Sequence, residues 1–565
     1  MMRPFSIPWS LPLLVALSGA VAAPSPGAAK DLAADRIFVG GHVFTGDPAL
    51  PRAEALAVRG PRILAIGTDK QIRKRSGKAT EVVSLNGGWV YPGFDDAHTH
   101  FLVVERADLR DAGSLGELRR RLEEFAKRNP ASAWVLGRGW APGDLGGVQP
   151  NRKTLDAVVS DRPVWIVDRD GHAGWANTRA LEVAEIGKVK DDPPNGAIVR
   201  DEKGEPTGLL KEAAMELVSR YVPPPNEQEL YDALRALLDR AAAAGLTSVQ
   251  NASFRPEELG VYERVMRENA LKVRFYWAVP MLKSPTSIDL DGYKQLARRY
   301  HGPLFKFGAV KGMVDGTVDS RTAAMFDPYV GGGTGLPFWK AEELNETVAL
   351  YDREGFQILL HAIGDKAIAL SLDAFAFAAR ANGATGRRHR VEHAEVPRPA
   401  DIPRFRQLGL VVTTTPLFAN PDKTALENFA VLLGPERLSR ADAFESWDAA
   451  GVTQAFGSDW PVTAMEPLRQ MYCAVTRQTP DGQPPGGWHP EHRISVEAAL
   501  RHFTRDAAIA SRDETEKGTL AAGKLADFVV LSDDILSPPP ERLLRTRVLR
   551  TVMGGQDTYR AAGVR

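Results

Sequence analysis

The chain has 565 residues, too many for one ordinary core unless one domain is a barrel of about 250 residues or more. Lys+Arg and Asp+Glu are equal at 71 each, and that balance argues against nucleic acid as the main partner, since phosphate binding needs a basic surplus on at least one face. A single cysteine, Cys473, rules out an internal disulfide and leaves stability to packing or metal.

The N-terminus reads as an export signal over residues 1–22. Arg3 supplies a small positive charge, SLPLLVALSGAVA is an apolar core short for a bilayer, and Ala20-Val21-Ala22 offers a small-x-small cleavage site. The alternative is an uncleaved membrane anchor. Residues 23–32 read as a linker. Export without disulfides suits secretion to a bacterial periplasm.

Residues 33–90 show short strands broken by turn residues, as in DRIFVGGHVFTGD and EALAVRGPRILAIG. The stretch 510–565, with GTLAAGKLADFVVLSDD, has the same texture. Neither is stable alone, so the two ends are expected to form one composite β-sandwich.

Between them, residues 91–509 alternate helical segments with short, unbroken apolar runs: GLTSVQN, VRFYWAV, FKFGAVKGMVDG, FQILLHA, HRVEHA, LVVTTTP and VTQAFGSD. Such runs are the pattern of buried parallel strands. The fold class predicted is α/β, a (β/α)₈ TIM-like barrel at about 31 residues per unit. The stretch from about 102 to 240 is too long for one helix and holds a large insertion after the first strand.

Within YPGFDDAHTHF, His98 and His100 end a strand two residues apart, which places two imidazoles on one face, half of a metal site. His361 and His393 each end a later strand, and Asp459 ends the last one. In a barrel these ends converge on one face. Asp459 is read as a metal ligand and as the proton shuttle for a metal-activated water, the alternative being a turn aspartate. Lys311 lies in an apolar strand, where a cation is unfavourable. It pairs with Asp315, or it reacts with CO₂ to give a carbamate able to bridge two metals. His172 reaches the substrate or is an ordered loop histidine. Arg321 clamps a substrate carboxylate or pairs with Asp315 or Asp319. Trp140, Trp175 and Trp460 are candidates for an apolar pocket wall, although aromatic residues are more often packing. The segment YVGGGTGLPFW, 329–339, reads as a mobile lid and, lacking Gly-Lys-Ser/Thr, not as a phosphate loop. Cys473, in a helical stretch, reads as packing.

These motifs resemble the amidohydrolase superfamily, specifically its amidohydrolase-3 (YtcJ-like) branch. PGFDDAHTH, VKGMVDGTVDSRTA, HAIGDKA, RVEHAEV, FGSDWPV and GTLAAGKLADFVVL carry the resemblance, and GHAGWANTRAL and PNRKTLD point to that branch. It implies a barrel flanked by a β-sandwich and one or two divalent metals, usually zinc. It implies metal ligation by His98, His100, His361, His393 and Asp459, with Lys311 as a carboxylated bridge and Glu212 as the reserve bridging carboxylate. It implies hydrolysis of carbon–nitrogen bonds, including those of N-substituted formamides. The substrate is expected to be a small molecule contacted by His172, Asp315, Arg321 and Trp460, with a homodimer left open. Two readings compete with it: a deaminase or lactonase using the same metal chemistry, and a non-catalytic periplasmic binding protein that kept the barrel.

Overall fold

A computed structural model describes residues 33–564 apart from 105, 110, 111, 131, 141–144, 169–172, 195, 320, 384, 385, 423 and 424. The expected export signal and linker, and His172, lie outside the described residues. No helix among the described residues is long and apolar enough to cross a membrane.

Eight parallel strands form the central sheet: β1 (Phe94–Thr99), β2 (Leu246–Asn251), β3 (Arg274–Pro280), β4 (Phe305–Met313), β5 (Gln357–Ala362), β6 (Arg390–His393), β7 (Val411–Thr414) and β8 (Thr453–Phe456). They pair in chain order from β1 to β8. The ends are stitched where β8 runs out beside β1: Asp459 N–H donates to the His98 carbonyl at 2.8 Å, and His100 N–H to the Trp460 carbonyl at 2.7 Å. A Cβ at Gly457 would stand 2.5 Å from the His98 Cβ and N, so only glycine allows this approach. The closed sheet is a (β/α)₈ barrel.

The outward faces of the strands pack on the surrounding helices. Phe254, Tyr262, Phe275, Trp277 and Phe305 form one aromatic cluster there, with Phe254 stacked on Trp277 at 4.2 Å. Helix Glu227–Ala243, N-capped by Asn226, packs on β2 and on helix Leu259–Arg267 as part of this outer layer. Cys473 is buried in helix Pro467–Thr476. Burial pushes its thiol up to about 12, so it packs rather than reacts.

Between β1 and helix Glu227–Ala243, a separate six-stranded sheet runs from Ala107–Asp108 to Pro206–Glu212. Its core buries Trp140 and Trp175, whose rings meet edge-on at 5.7 Å. Neither lines a barrel pocket. The two chain ends meet in one sheet, where Phe528–Leu531 pairs antiparallel with Trp89–Pro92. That sheet packs against the sheet of Ala34–Val39 through Phe38, Leu56, Val58, Val90, Phe528 and Val552.

Candidate metal centre

Alternation along the strands sets which side chains enter the barrel. On β4, Ala309, Lys311 and Met313 point inward while Val310 joins the outer core. On β5, Leu359 and His361 point inward. On β6 the inward residues are Arg390 and Glu392, so His393 should follow Val391 outward. It does not, because His393 takes a positive φ of 73° and turns back into the barrel. Asp459 likewise holds φ at 51°. On β1 an extra residue between Asp96 and Thr99, relative to β2, forms a bulge that aims His98 inward.

The result is a convergent cluster. The His393 ring lies 4.8 Å from that of His98 and 4.5 Å from that of His361, and His98 lies 5.5 Å from His100. Asp459 Oδ1 stands 3.1 Å from His100 Nε2 and 3.5 Å from His98 Nε2. Lys311 Nζ stands 3.4 Å from His98 Nε2. His98, His100 and Asp459 offer atoms close enough together to hold one metal ion.

Electrostatics favour neutral ligands. Burial, reinforced by the nearby Lys311, holds His361 down to about 3. Burial likewise holds His98 and His393 well below the usual imidazole range. Burial also lowers Lys311, against the pull of Glu392 and Asp459. Three imidazoles that stay unprotonated at neutral pH are suited to ligation. Asp459 Oδ1 is buried and makes no hydrogen bond, although the ring nitrogens of two histidines face it. Because His98 bonds Glu392 through Nδ1, its Nε2 turns a lone pair toward this carboxylate oxygen, which is unfavourable unless a cation lies between them. The donor set therefore fits a divalent ion.

One group that the sequence reading left out is central here. Glu392, fully buried, takes the Nδ1 side of His98 in a short hydrogen bond, leaving Nε2 to face Asp459. Arg390 donates to both Glu392 oxygens at 2.7 and 2.9 Å, to Gln250 at 2.5 Å and to the Ala97 carbonyl at 2.6 Å. Gln250 in turn donates to Asp95 at 3.3 Å. Lys517, from the C-terminal segment, donates to Asp95 at 2.7 Å and Ser248 at 2.8 Å. Glu392 sits beside His393 in the sequence. Its glutamate-histidine pair on a strand was the available signal, but plain alternation would have placed only one of the two inside.

The other expected residues divide. Asp315 is fully buried and faces no substrate: its oxygens accept the N–H groups of Ala324, Ile363 and Gly364 at 2.8 to 3.0 Å, and one lies 3.9 Å from His361 Nε2. Burial pushes it up to about 7 despite those bonds. It locks the loop after β4 to the end of β5. Trp460 corrects the expectation of a pocket residue. Its ring packs against the outer core and lies 4.3 Å from the Arg240 guanidinium on the barrel's outer side. Arg321 is exposed, with its guanidinium against Gly331. Glu212 is exposed at the end of the insertion sheet. The 329–339 segment is tied down: Val330 N–H donates to Leu432 at 3.0 Å, and Arg437 donates to the carbonyls of Asp327 and Pro328, each at 2.8 Å. Glu395 and Asp442 form a second buried acidic pair. Burial pushes Asp442 up to about 6, and burial with the neighbouring Asp442 raises Glu395 well above the carboxylate range.

The sequence profile of the amidohydrolase family matches residues 81–559. The chain is 32% identical to Protein LONG AFTER FAR-RED 3 of Arabidopsis thaliana, over 94% of this chain and 92% of that protein. It is 29% identical to the N-substituted formamide deformylase of Arthrobacter pascens, over 94% of this chain and 99% of that enzyme. An uncharacterized metal-dependent hydrolase from Pyrococcus furiosus has the same fold, with a TM-score of 0.72 at 24% identity, over 89% of this chain and 100% of that one.

Proposed function

The chain belongs to the amidohydrolase family of hydrolases, and from that premise we propose that it is a metal-dependent enzyme that cleaves a carbon–nitrogen bond in an amide or formamide-like small molecule. The observation that carries this reading is Asp459 Oδ1, buried without a hydrogen bond and facing two imidazole nitrogens. The full-length similarity to an N-substituted formamide deformylase supports the choice of bond.

His98, His100, His361, His393 and Asp459 would hold the metal, zinc by the nature of the donors. A divalent ion there would polarise the scissile carbonyl and lower the pKa of a water molecule it binds. Asp459 accepts the proton of the attacking water and returns it to the leaving nitrogen. Glu392 fixes which nitrogen of His98 faces the site. Lys311, disfavoured as a cation by burial, is the candidate for carboxylation: its nitrogen bonds to the carbon of CO₂ and loses a proton, leaving an anionic ligand for a second ion. Glu212, at the edge of the insertion sheet, is the reserve. The protein is proposed to act outside the cytoplasm after loss of residues 1–22.

The test is metal analysis of the purified protein with hydrolysis of a series of N-alkylformamides. We expect activity to be lost to a chelator, restored by zinc and lowered about 10²–10⁴-fold in Asp459→Asn. Undiminished turnover by the chelated protein or by that variant would contradict the reading.

A further inference from the structure

The residues that border the cluster on its open side are apolar. By strand alternation Met313 falls on the same face of β4 as Lys311, one layer nearer the mouth, and its backbone pairs with that of His361. It is 45% exposed although it points into the barrel, so it faces the open space above the cluster. Phe418, in the turn Pro416–Ala419 that leaves β7, packs its ring 5.9 Å from that of His393 and is half-buried. Beyond these two, Phe326, Val330, Leu336 and Phe338 on the loop after β4 are all exposed, as are Leu426 and Val431 after β7. The hydrogen bonds of Val330 and Arg437 join the two loops, so these side chains stand on one connected rim. A concentration of exposed large apolar groups at one place marks a binding surface. Here it adjoins the reacting centre, and the charged groups of the rim have other partners: Arg398 lies over the Phe326 ring and Lys283 donates to the Phe338 carbonyl. Asp315 is used up by backbone N–H groups, and Arg321 lies against Gly331.

We infer that the substrate carries an uncharged alkyl or aryl substituent next to the bond that is cleaved, and that Met313 and Phe418 select it. The inference rests on the proposed hydrolase reading for the place of the reacting group. Its chemistry is simple. A substituent laid between a thioether and an aromatic ring leaves water without needing any polar partner. Each added methylene that is fully covered should strengthen binding about fourfold.

The test measures binding of N-alkyl reverse hydroxamates (N-alkyl-N-hydroxyformamides), from methyl to octyl, to the zinc-loaded protein by calorimetry. Hydroxamate was chosen because its head group seeks the metal whether or not the enzyme cleaves amides. The expected result is a rise of about fourfold per methylene until the chain leaves the rim, with a markedly flatter rise in Met313→Ser and in Phe418→Ala. A flat series in the unaltered protein overturns the inference, and this arm needs no variant to fold. A rise that neither variant changes, or no binding by any member, also overturns it. So does an affinity that falls with protein concentration, because the rim would then be covered by a second copy. A rise flattened by the variants, with no N-alkylformamide hydrolysed, supports the substituent class and contradicts the proposed carbon–nitrogen cleavage instead.

Discussion

Two layers of the barrel interior, a few ångströms apart, treat buried polar groups in opposite ways. In the lower layer Arg390, Gln250, Asp95, Ser248 and Lys517 are hydrogen-bonded to one another or to backbone, with Glu392 at the top of the chain. In the upper layer His98, His100, His361 and His393 crowd around Asp459, whose Oδ1 has no donor. The strands β1 and β6 contribute to both layers. A folded protein satisfies its buried polar atoms as a rule, so the place where it does not is where a ligand belongs. The lower layer serves stability and aim, and the upper layer is held short of its natural partner.

That contrast can be broken most sharply with one substitution in each layer. Asp459→Asn is expected to lower kcat about 10²–10⁴-fold, while the metal-free protein unfolds at the same or higher denaturant concentration, because Oδ1 has no hydrogen bond to lose. Arg390→Met is expected to destabilise the metal-free protein by about 3–5 kcal/mol, since Glu392 is left buried and uncompensated. Chemical denaturation of both apo-proteins checks the pair. Equal losses of stability would erase the distinction between the layers.

Glu392 joins them, so Glu392→Gln should show both faults in reduced form. The expected loss is about 10–100-fold in metal affinity, measured by competition with a chromogenic chelator, with a smaller loss of stability than Arg390→Met. At the seam, Gly457→Ala forces a methyl group against His98. It is expected to lower stability by about 1–3 kcal/mol and to weaken metal binding, checked by thermal unfolding and the same competition.

The smallest effect is a pH dependence at His502, which packs against Phe456 on the outer side of β8. Burial alone would lower this histidine, but hydrogen bonds with Asp448 and Asp506 outweigh it and raise it. A histidine held up in this way contributes stability that is fully present below its unfolded value and fades as pH rises through the folded one. His502→Gln should therefore destabilise the protein more at pH 6 than at pH 9, seen in denaturation at both.

Much of this was legible before the coordinates. The continuous apolar runs from GLTSVQN to VTQAFGSD are β2 to β8, because a strand covered on both faces has no polar side to show. His98, His361, His393 and Asp459 were findable because each ends such a run. What stayed hidden depends on departures from regular strand geometry. The positive φ at His393 lets Glu392 and His393 both point inward, and no alternation rule foresees that. Asp315 reads as a partner for Lys311 or Arg321, or as a substrate contact, until three backbone N–H groups from distant loops are seen to occupy it. Trp460 adjoins a ligand in sequence, yet the positive φ at Asp459 turns the chain there and its ring packs outside the barrel on Arg240. Lys517, a sandwich-end lysine in sequence, ends beneath the site because the chain's last segment returns under the barrel.

The central claim is that the unsatisfied upper layer is a metal site. Crystals of protein purified without added metal, measured above and below the zinc absorption edge, test it most directly. The account predicts an anomalous peak within bonding distance of His98, His100 and Asp459. Well-ordered crystals with those side chains in place and only a proton or water between them, after zinc has been supplied, would contradict it.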